Sequence, residues 1–296
     1  MSQLLLLLGL CIGMGLLTVA LLGFLAVPLT GYSIEELGRE SPPARSLLPL
    51  YWLAQGVVQL GLFVLPGLIF LYYYDFGRGT SPVAFRMRVP AWTLTAAVGL
   101  AAGLLPLAYL LHEWNQSLHL PESFSAWEQD LRAAERQTEQ IIAAFLSAPG
   151  AQAYLFNVLI LVALPALGEE LIFRGIVQRI FIRWIASPHV AIWISGALFS
   201  AIHMQWLGFF PRWLLGVELG YLAWLTGSLW PAVLSHATHN GLSLILAGIS
   251  GEPENSAQNA DIQRMPVTWV VVGLILAAVS LYGIVRSRSK PITPDE

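Results

Sequence analysis

Three polar clusters interrupt otherwise apolar stretches in the second half of this chain. They are Glu169-Glu170-Leu-Ile-Phe-Arg174, Phe199-Ser-Ala-Ile-His203 and His236-Ala-Thr-His239-Asn240. An ionisable group at membrane depth is costly, and it is rarely kept there without a partner or a chemical task. Two carboxylates, a guanidinium, three imidazoles and a carboxamide supply the base, acid and hydrogen-bond donors that water-activated hydrolysis requires.

The first cluster separates into a paired acid and an unpaired one when it is placed on a helix. Glu170 and Arg174 are four residues apart, so they share a face and can form an ion pair that offsets the cost of burial. Glu169 points roughly 140° away from Arg174. We predict that Glu170 and Arg174 are structural, and that Glu169 faces a cavity as a general base. The alternative is two solvated acids near a helix end, where Pro165 is expected to kink the helix.

The other two clusters supply imidazoles and an amide. Phe199 and His203 are four residues apart, so the ring can pack against the imidazole and orient it. A lone histidine in an apolar helix is more often a packing residue, and it is the companions of His203 that favour a catalytic role. His236 and Asn240 share a helix face and could both donate hydrogen bonds to a developing oxyanion. His239 is predicted to be a supporting partner or a spare ligand.

The composition places these clusters in a membrane protein. Of the 296 residues 56% are hydrophobic and 11% are charged, against about 25% charged in soluble domains, and the mean hydropathy is +0.66. The net charge is −3 and no basic stripe follows any helix, which argues against nucleic-acid binding. The single cysteine, Cys11, excludes an internal disulfide and a cysteine-rich metal site.

Hydropathy predicts an all-α, polytopic membrane protein with about eight transmembrane helices. The four consecutive spans that contain the three polar clusters are the predicted four-helix catalytic core. The first span is predicted to be uncleaved because it lacks a basic n-region and is longer than a signal-peptide core. The chain divides into a three-span region with an outer helix (1–150), a catalytic core (151–250) and a last span with its flanks (251–296). The candidate spans are about 4–27, 48–74, 91–111, 152–173, 189–205, 212–227, 229–249 and 267–285.

Basic residues predict the orientation of the spans. Three groups of arginines, after spans two, four and eight, are assigned to the cytoplasmic side, which places both termini in the cytoplasm. Eight basic residues then lie inside and six outside. The polar stretch 250–266 becomes an outer loop, and the tail from Ser287 is expected to be disordered. With these boundaries Glu169 lies near the inner end of its span and His203 near the outer end of its own. A shared site therefore requires at least one predicted boundary to be wrong.

The outer loop 112–150 contains a predicted amphipathic helix from Ser125 to Phe145. Apolar residues recur every three to four positions along it, and Ser125 with Glu128 has the spacing of a capping box. Such a helix lies on the membrane interface. The simpler interpretation is that this helix is a packing helix or a lid. The alternative is that it gates the access of substrate.

Together the three clusters resemble the signature of a known family, the type II CAAX prenyl endopeptidase and bacteriocin-processing proteins, also called the CPBP or ABI intramembrane proteases. That signature reads Glu-Glu-x-x-x-Arg, Phe-x-x-x-His and His-x-x-x-Asn on separate transmembrane helices. This chain has the three motifs in that order, and the resemblance covers about residues 150–250. Each motif alone is weak, and the ordered set is specific.

The resemblance implies a peptide-bond hydrolase with its site inside the membrane. It implies that Glu169 and His203 activate water, that His236 and Asn240 form an oxyanion hole, and that Glu170, Arg174 and Phe199 support the site. No metal is assigned, although family members are often labelled metalloproteases. Glu169, His203 and His236 could supply three zinc ligands and leave one position for water. The metal-free glutamate mechanism is the preferred hypothesis.

The substrate would be a membrane-embedded or membrane-anchored peptide in the lipid bilayer, either prenylated or carrying a leader sequence. Two other classes of protein fit the sequence less well. A non-catalytic scaffold or bacteriocin-immunity protein of the same fold has no need for the complete polar set. A transporter would use buried charges to line an ion path, but no inverted repeat is visible.

Overall fold

A computed structural model describes residues 2–31, 45–74, 89–250 and 265–286. Within these ranges the chain is helical and contains no strand, which confirms the all-α class. The arginines at 39, 78, 86, 88, 264 and 288, Lys290, and most of the predicted 250–266 loop lie outside the described residues. The helices are α1 Ser2–Thr30, α2 Leu48–Tyr74, α3 Ala91–Gln116, α4 Ser125–Leu146, α5 Ala151–Ile185, α6 Pro188–Ala201, α7 Phe209–Thr226, α8 Trp230–Ser250 and α9 Val267–Arg286.

Every predicted span coincides with a helix, but the number of spans is not confirmed as eight. Among the described residues, five helices are long and apolar enough to cross a membrane: α1, α2, α3, α5 and α9. Helix α6 is apolar but has only 14 residues, which corresponds to about 21 Å at 1.5 Å per residue. The chain is nevertheless an integral membrane protein with several membrane-spanning helices.

Helix α5 is much longer than the predicted span 152–173. It runs for 35 residues, from Ala151 to Ile185, and includes two π-helical segments, Val158–Ala163 and Phe173–Val177, the second of which begins at the predicted end of the span. A π-turn widens the helix by one residue and changes the direction in which the following side chains point. Pro165 lies just after the first π segment, and its missing N–H is tolerated there. Glu169 consequently lies near the middle of the helix.

Helix α6 is shorter than the predicted span 189–205. It ends at Ala201, and His203 lies in the turn beyond it, where its N–H donates to the Ser200 carbonyl. A bend follows at Met204, whose φ is +54°. Helix α5 continues well past Glu169, and α6 ends before His203, so neither residue has the depth that its predicted span gave it. The two side chains can therefore lie at one depth.

Helices α6 and α7 approach closely through glycines. A Cβ added to Gly216 would lie 2.8 Å from the Gly196 Cα and 3.0 Å from its carbonyl oxygen. Such contacts are shorter than real Cβ atoms show, so the two backbones meet where neither residue has a side chain. A similar contact joins α3 and α9, where a Cβ on Gly103 would lie 2.6 Å from the Gly273 carbonyl oxygen.

Substitution of Gly216 with alanine is expected to lower the free energy of unfolding by about 1–3 kcal/mol, because an overpacked contact must be relieved by moving a helix. The matched control is Gly13→Ala in α1, where nothing lies within 4 Å of the added Cβ. Unfolding in mild detergent, followed by circular dichroism, compares the two variants. Equal stability of both would show that the α6–α7 contact is looser than described.

Helix α4 confirms the predicted amphipathic helix, but the predicted capping box is wrong. The residue before the helix is Phe124, and no side chain caps the first turn. The chain folds back ahead of α4, so Glu128 accepts hydrogen bonds from the Leu120 N–H and from Arg132 Nε, and it contacts His119. The Leu120 N–H, then Arg132 and His119, lower the pKa of Glu128 to about 2. This cluster ties α4 to the end of α3.

Candidate active site

Glu169 faces two imidazoles from different helices. Its Oε2 lies 4.0 Å from His203 Nε2 and 3.9 Å from His236 Nε2. The Glu169 and His236 side chains are 6% and 4% exposed, whereas His203 is 27% exposed. The structure therefore brings together three of the sequence-predicted site residues, with His203 on the more accessible side.

The hydrogen bonds of the two histidines assign their tautomers. His203 Nδ1 lies 2.8 Å from the Phe199 carbonyl oxygen, which can only accept, so Nδ1 carries a proton. His236 Nδ1 lies 2.9 Å from Glu170 Oε1 and donates to that carboxylate. When either ring is neutral, its Nε2 is thus the unprotonated nitrogen. Both of these nitrogens are directed to the same Glu169 oxygen.

Glu170 and Arg174 form the ion pair that their spacing predicts. Arg174 Nη1 donates to Glu170 Oε1 over 2.7 Å, and both side chains have no exposed area. Arg174 Nη2 donates to the Gly216 carbonyl oxygen, also over 2.7 Å, which connects α5 to α7. Since Glu170 also accepts from His236, this buried pair joins three helices behind the site.

Phe199 lies between the charged and the imidazole groups. It is 1% exposed, and its ring centroid is 5.2 Å from that of His203 and 5.8 Å from that of His236, both edge to face. The Arg174 guanidinium carbon lies 4.6 Å from the same centroid, within cation–π range. Phe199 therefore packs against both imidazoles, as predicted for His203, and also against Arg174.

Asn240 is held by a backbone carbonyl of α5. Its Nδ2 lies 3.3 Å from the Leu161 carbonyl oxygen, within the first π-helical segment. One amide hydrogen of Asn240 is used in this way, and the second can serve another acceptor.

Two polar contacts near the site were not predicted. Gln59 of α2 donates through Nε2 to Glu169 Oε1 over 3.4 Å. Glu218 of α7 is buried and accepts a hydrogen bond from Ser235, the neighbour of His236. A signal for the first contact exists in the sequence, because Gln55 and Gln59 are polar residues four apart in an apolar span. Glu218 is likewise an acid within an apolar helix.

A cavity of about 400 Å³ opens in front of Glu169. The first half of the chain contributes to its wall, through α2, α3 and α4. His239 lines the cavity beside His236 and Asn240. Lining residues outside the motifs include Gln55, Tyr109, His112, Thr138, Glu139, Ile142 and Arg212. The amphipathic helix α4 thus forms part of the cavity wall.

The three candidate zinc ligands do not form a zinc site in this arrangement. Two atoms 3.9 Å apart subtend about 140° at a zinc ion placed about 2.1 Å from both, far wider than the tetrahedral angle of about 109°. The same two atoms subtend about 90° at a water oxygen about 2.8 Å from each, an ordinary hydrogen-bonding angle. Among the described residues no group of three or more His, Cys, Asp or Glu side chains is arranged to hold a metal ion.

Comparison with protein families identifies the segment that carries these residues. The model of the family described as type II CAAX prenyl endopeptidase Rce1-like matches residues 151–242. The matched segment runs from the start of α5 into α8 and contains all three motifs, which agrees with the predicted family.

The remainder of the chain, including Gln59 and α4, lies outside the matched segment. No curated protein and no solved structure matches the chain. The Rce1-like match supports an intramembrane endopeptidase activity of the CAAX-protease type. It also agrees with an integral membrane protein that acts on membrane-associated substrates.

Proposed function

We propose that the protein is a glutamate-dependent intramembrane endopeptidase. The observation that carries the proposal is that Glu169 Oε2 lies within 4.0 Å of the Nε2 atoms of both His203 and His236 at the cavity wall. A water molecule there has two hydrogens to donate and a lone pair left for attack. The spacing of these atoms suits a water molecule better than a zinc ion.

In the proposed reaction Glu169 is the general base. The water oxygen attacks the carbonyl carbon of the scissile peptide bond, and Glu169 Oε2 takes one water proton. His203 Nε2 accepts a hydrogen bond from the second water hydrogen and orients the attack. When the tetrahedral intermediate collapses, the C–N bond breaks and the protonated Glu169 returns its proton to the leaving amine. The products are a new carboxyl terminus and a new amino terminus.

His236 and Asn240 are proposed to stabilise the oxyanion. A neutral His236 cannot donate through Nε2, because its one ring proton faces Glu170 at Nδ1. The imidazolium form donates at both nitrogens, to Glu170 and into the cavity. Carboxylate oxygens lie at both ring nitrogens, 2.9 Å from Nδ1 and 3.9 Å from Nε2. The free amide hydrogen of Asn240 supplies the second donor.

The proposed substrate is a peptide anchored in the membrane, either prenylated at its carboxyl end or carrying a leader segment. The catalytic groups lie within a bundle of apolar helices, so a substrate already held in the bilayer reaches them with little loss of freedom. Both termini are proposed to be cytoplasmic. The competing proposal, a non-catalytic scaffold of the same fold, predicts no cleavage of any peptide.

The direct test is to incubate the purified, chelator-treated protein with a library of membrane peptides and to identify products by mass spectrometry. The library contains prenylated and unprenylated peptides with CAAX-type ends, and unprenylated peptides with leader sequences. Endopeptidase products from one class would support the proposal and identify the substrate. Intact peptides in every class, with a folded protein, would favour the scaffold.

Asn240→Ala is expected to lower kcat about 100- to 1,000-fold, the usual cost of removing one oxyanion donor, with a smaller change in KM. The alanine also leaves the Leu161 carbonyl without its amide partner, so thermal unfolding must accompany the kinetics. Thr238→Ala is the matched control, because Thr238 lies on the same helix and its hydroxyl bonds only within that helix in the described contacts. A kcat unchanged from wild type would remove Asn240 from the proposed oxyanion hole.

A further inference from the structure

Gln59 is a buried amide in the apolar helix α2, outside the residues that match the family model. It is 7% exposed, and its Nε2 lies 3.4 Å from Glu169 Oε1. The other oxygen of the same carboxylate, Oε2, is the one near the two histidines. The two faces of the carboxylate thus have different partners: an amide donor behind, and the imidazoles in front.

The approach of α2 to Glu169 is fixed by close packing. A Cβ on Gly168, next to Glu169, would lie 3.0 Å from Phe63 Cβ and from Val64 Cγ2. A π-helical segment, Leu60–Val64, begins immediately after Gln59 and sets the direction of this part of α2. Gln59 is therefore held against Glu169 by backbone geometry and not by a flexible side-chain contact alone.

The second polar atom of this amide is buried without a partner. Gln59 Oε1 has no hydrogen-bond donor among the described residues. A buried carbonyl oxygen of this kind normally has a donor, at least in one state of the site. The hydrogen bond that this amide makes in the described site is therefore its donation to Glu169 Oε1.

We propose that Gln59 is a positioning residue for Glu169, which donates to Oε1 of the carboxylate and so holds Oε2 toward the two histidines. This inference rests on the proposed function, in which Glu169 is the general base. The other charged or titratable groups that face Glu169 are Glu170 and Arg174 of its own helix, His203 after α6, and His236 of α8. Gln59 is the uncharged member of this set.

The test measures the ionisation of Glu169 without requiring turnover. A hydrophobic carbodiimide modifies protonated carboxyl groups, and mass spectrometry separates modification at Glu169 from that at Glu170. We expect the pH at which labelling of Glu169 is half-maximal to rise by about one unit or more in Gln59→Met, because a charge-assisted hydrogen bond to the carboxylate is lost. Methionine keeps the shape of glutamine and removes both polar atoms.

Two further variants complete the test. Gln55→Met is the matched control, with the same substitution one turn earlier on α2, and should leave the labelling midpoint where wild type has it. Gln59→Glu retains polarity, but its carboxyl must share a proton with Glu169, so the midpoint should rise at least as far as in Gln59→Met. Size-exclusion profiles and thermal unfolding establish that each variant is folded.

An unchanged midpoint in both folded Gln59 variants would overturn the inference, and so would an equal shift in Gln55→Met. In active protein, the acid limb of the pH–rate profile should move with the labelling midpoint in Gln59→Met. If wild type cleaves no peptide and the midpoint still moves only in the Gln59 variants, the proposed function fails and the positioning contact stands. If Glu169→Gln abolishes cleavage and no midpoint moves, the inference fails and the function stands.

Discussion

Glu169→Gln is expected to lower kcat for peptide hydrolysis at least about 1,000-fold while the protein stays folded. A general base contributes about 100- to 10,000-fold, and glutamine cannot take a proton from water. The carboxylate oxygen Oε2 also lies 4.0 Å and 3.9 Å from the two Nε2 atoms, so its loss removes the acceptor around which the proposed water site is built. We expect a loss in the upper part of that range, because no second carboxylate among the described residues approaches both imidazole Nε2 atoms.

The fold should survive because glutamine has the shape of glutamate and removes a buried charge rather than creating one. The control is Glu122→Gln, the same chemical change at an exposed position before α4. Single-turnover kinetics on the best substrate, together with thermal unfolding, separate lost chemistry from lost protein. Retention of more than about a tenth of the wild-type rate in folded Glu169→Gln would show that another group is the base.

Arg174→Ala is expected to lower the free energy of unfolding by about 3–5 kcal/mol, since it leaves the fully buried Glu170 carboxylate without its cation. It also removes the hydrogen bond to the Gly216 carbonyl that joins α5 to α7. Glu170→Gln should destabilise less, because the amide oxygen can still accept from Arg174. Unfolding in mild detergent measures both changes.

A double variant separates the cost of an unpaired buried charge from the loss of the pair itself. Glu170→Leu combined with Arg174→Met removes the two charges together, so it should recover much of the stability that Arg174→Ala loses. The control is Arg183→Ala, an exposed arginine of the same helix, with a change within about 0.5 kcal/mol. Wild-type stability in Arg174→Ala would contradict a structural role for the pair.

The parts of the site that the sequence predicted are those set by local helical geometry. Four-residue spacing predicted the Glu170–Arg174 pair and the Phe199–His203 contact, because i and i+4 side chains lie on one helix face in any environment. The order of the motifs predicted the family. The long-range contacts of Glu169 with His203 and His236 followed from that resemblance and not from spacing, since no local rule links three helices.

The parts that were missed depend on tertiary packing. The π-turns in α2 and α5 leave no mark in the hydropathy pattern, although they set the direction of Gln59 and the depth of Glu169. The predicted capping box at Ser125 does not form, because the chain before α4 folds back and Glu128 accepts instead from the Leu120 N–H, eight residues earlier in the sequence. The count of eight spans rested on apolar runs alone, and α6 shows that an apolar helix in this fold can be shorter than a membrane.

The measurement that tests the central claim most directly is a single-turnover cleavage in water labelled with ¹⁸O, using chelator-treated protein. The account predicts one ¹⁸O atom in the new carboxyl terminus with wild type, because water itself attacks the peptide carbonyl, and no detectable product with Glu169→Gln. A first-turnover product without ¹⁸O would mean that a protein oxygen attacks instead. Labelled product from Glu169→Gln at the wild-type rate would contradict the role of Glu169 as the base.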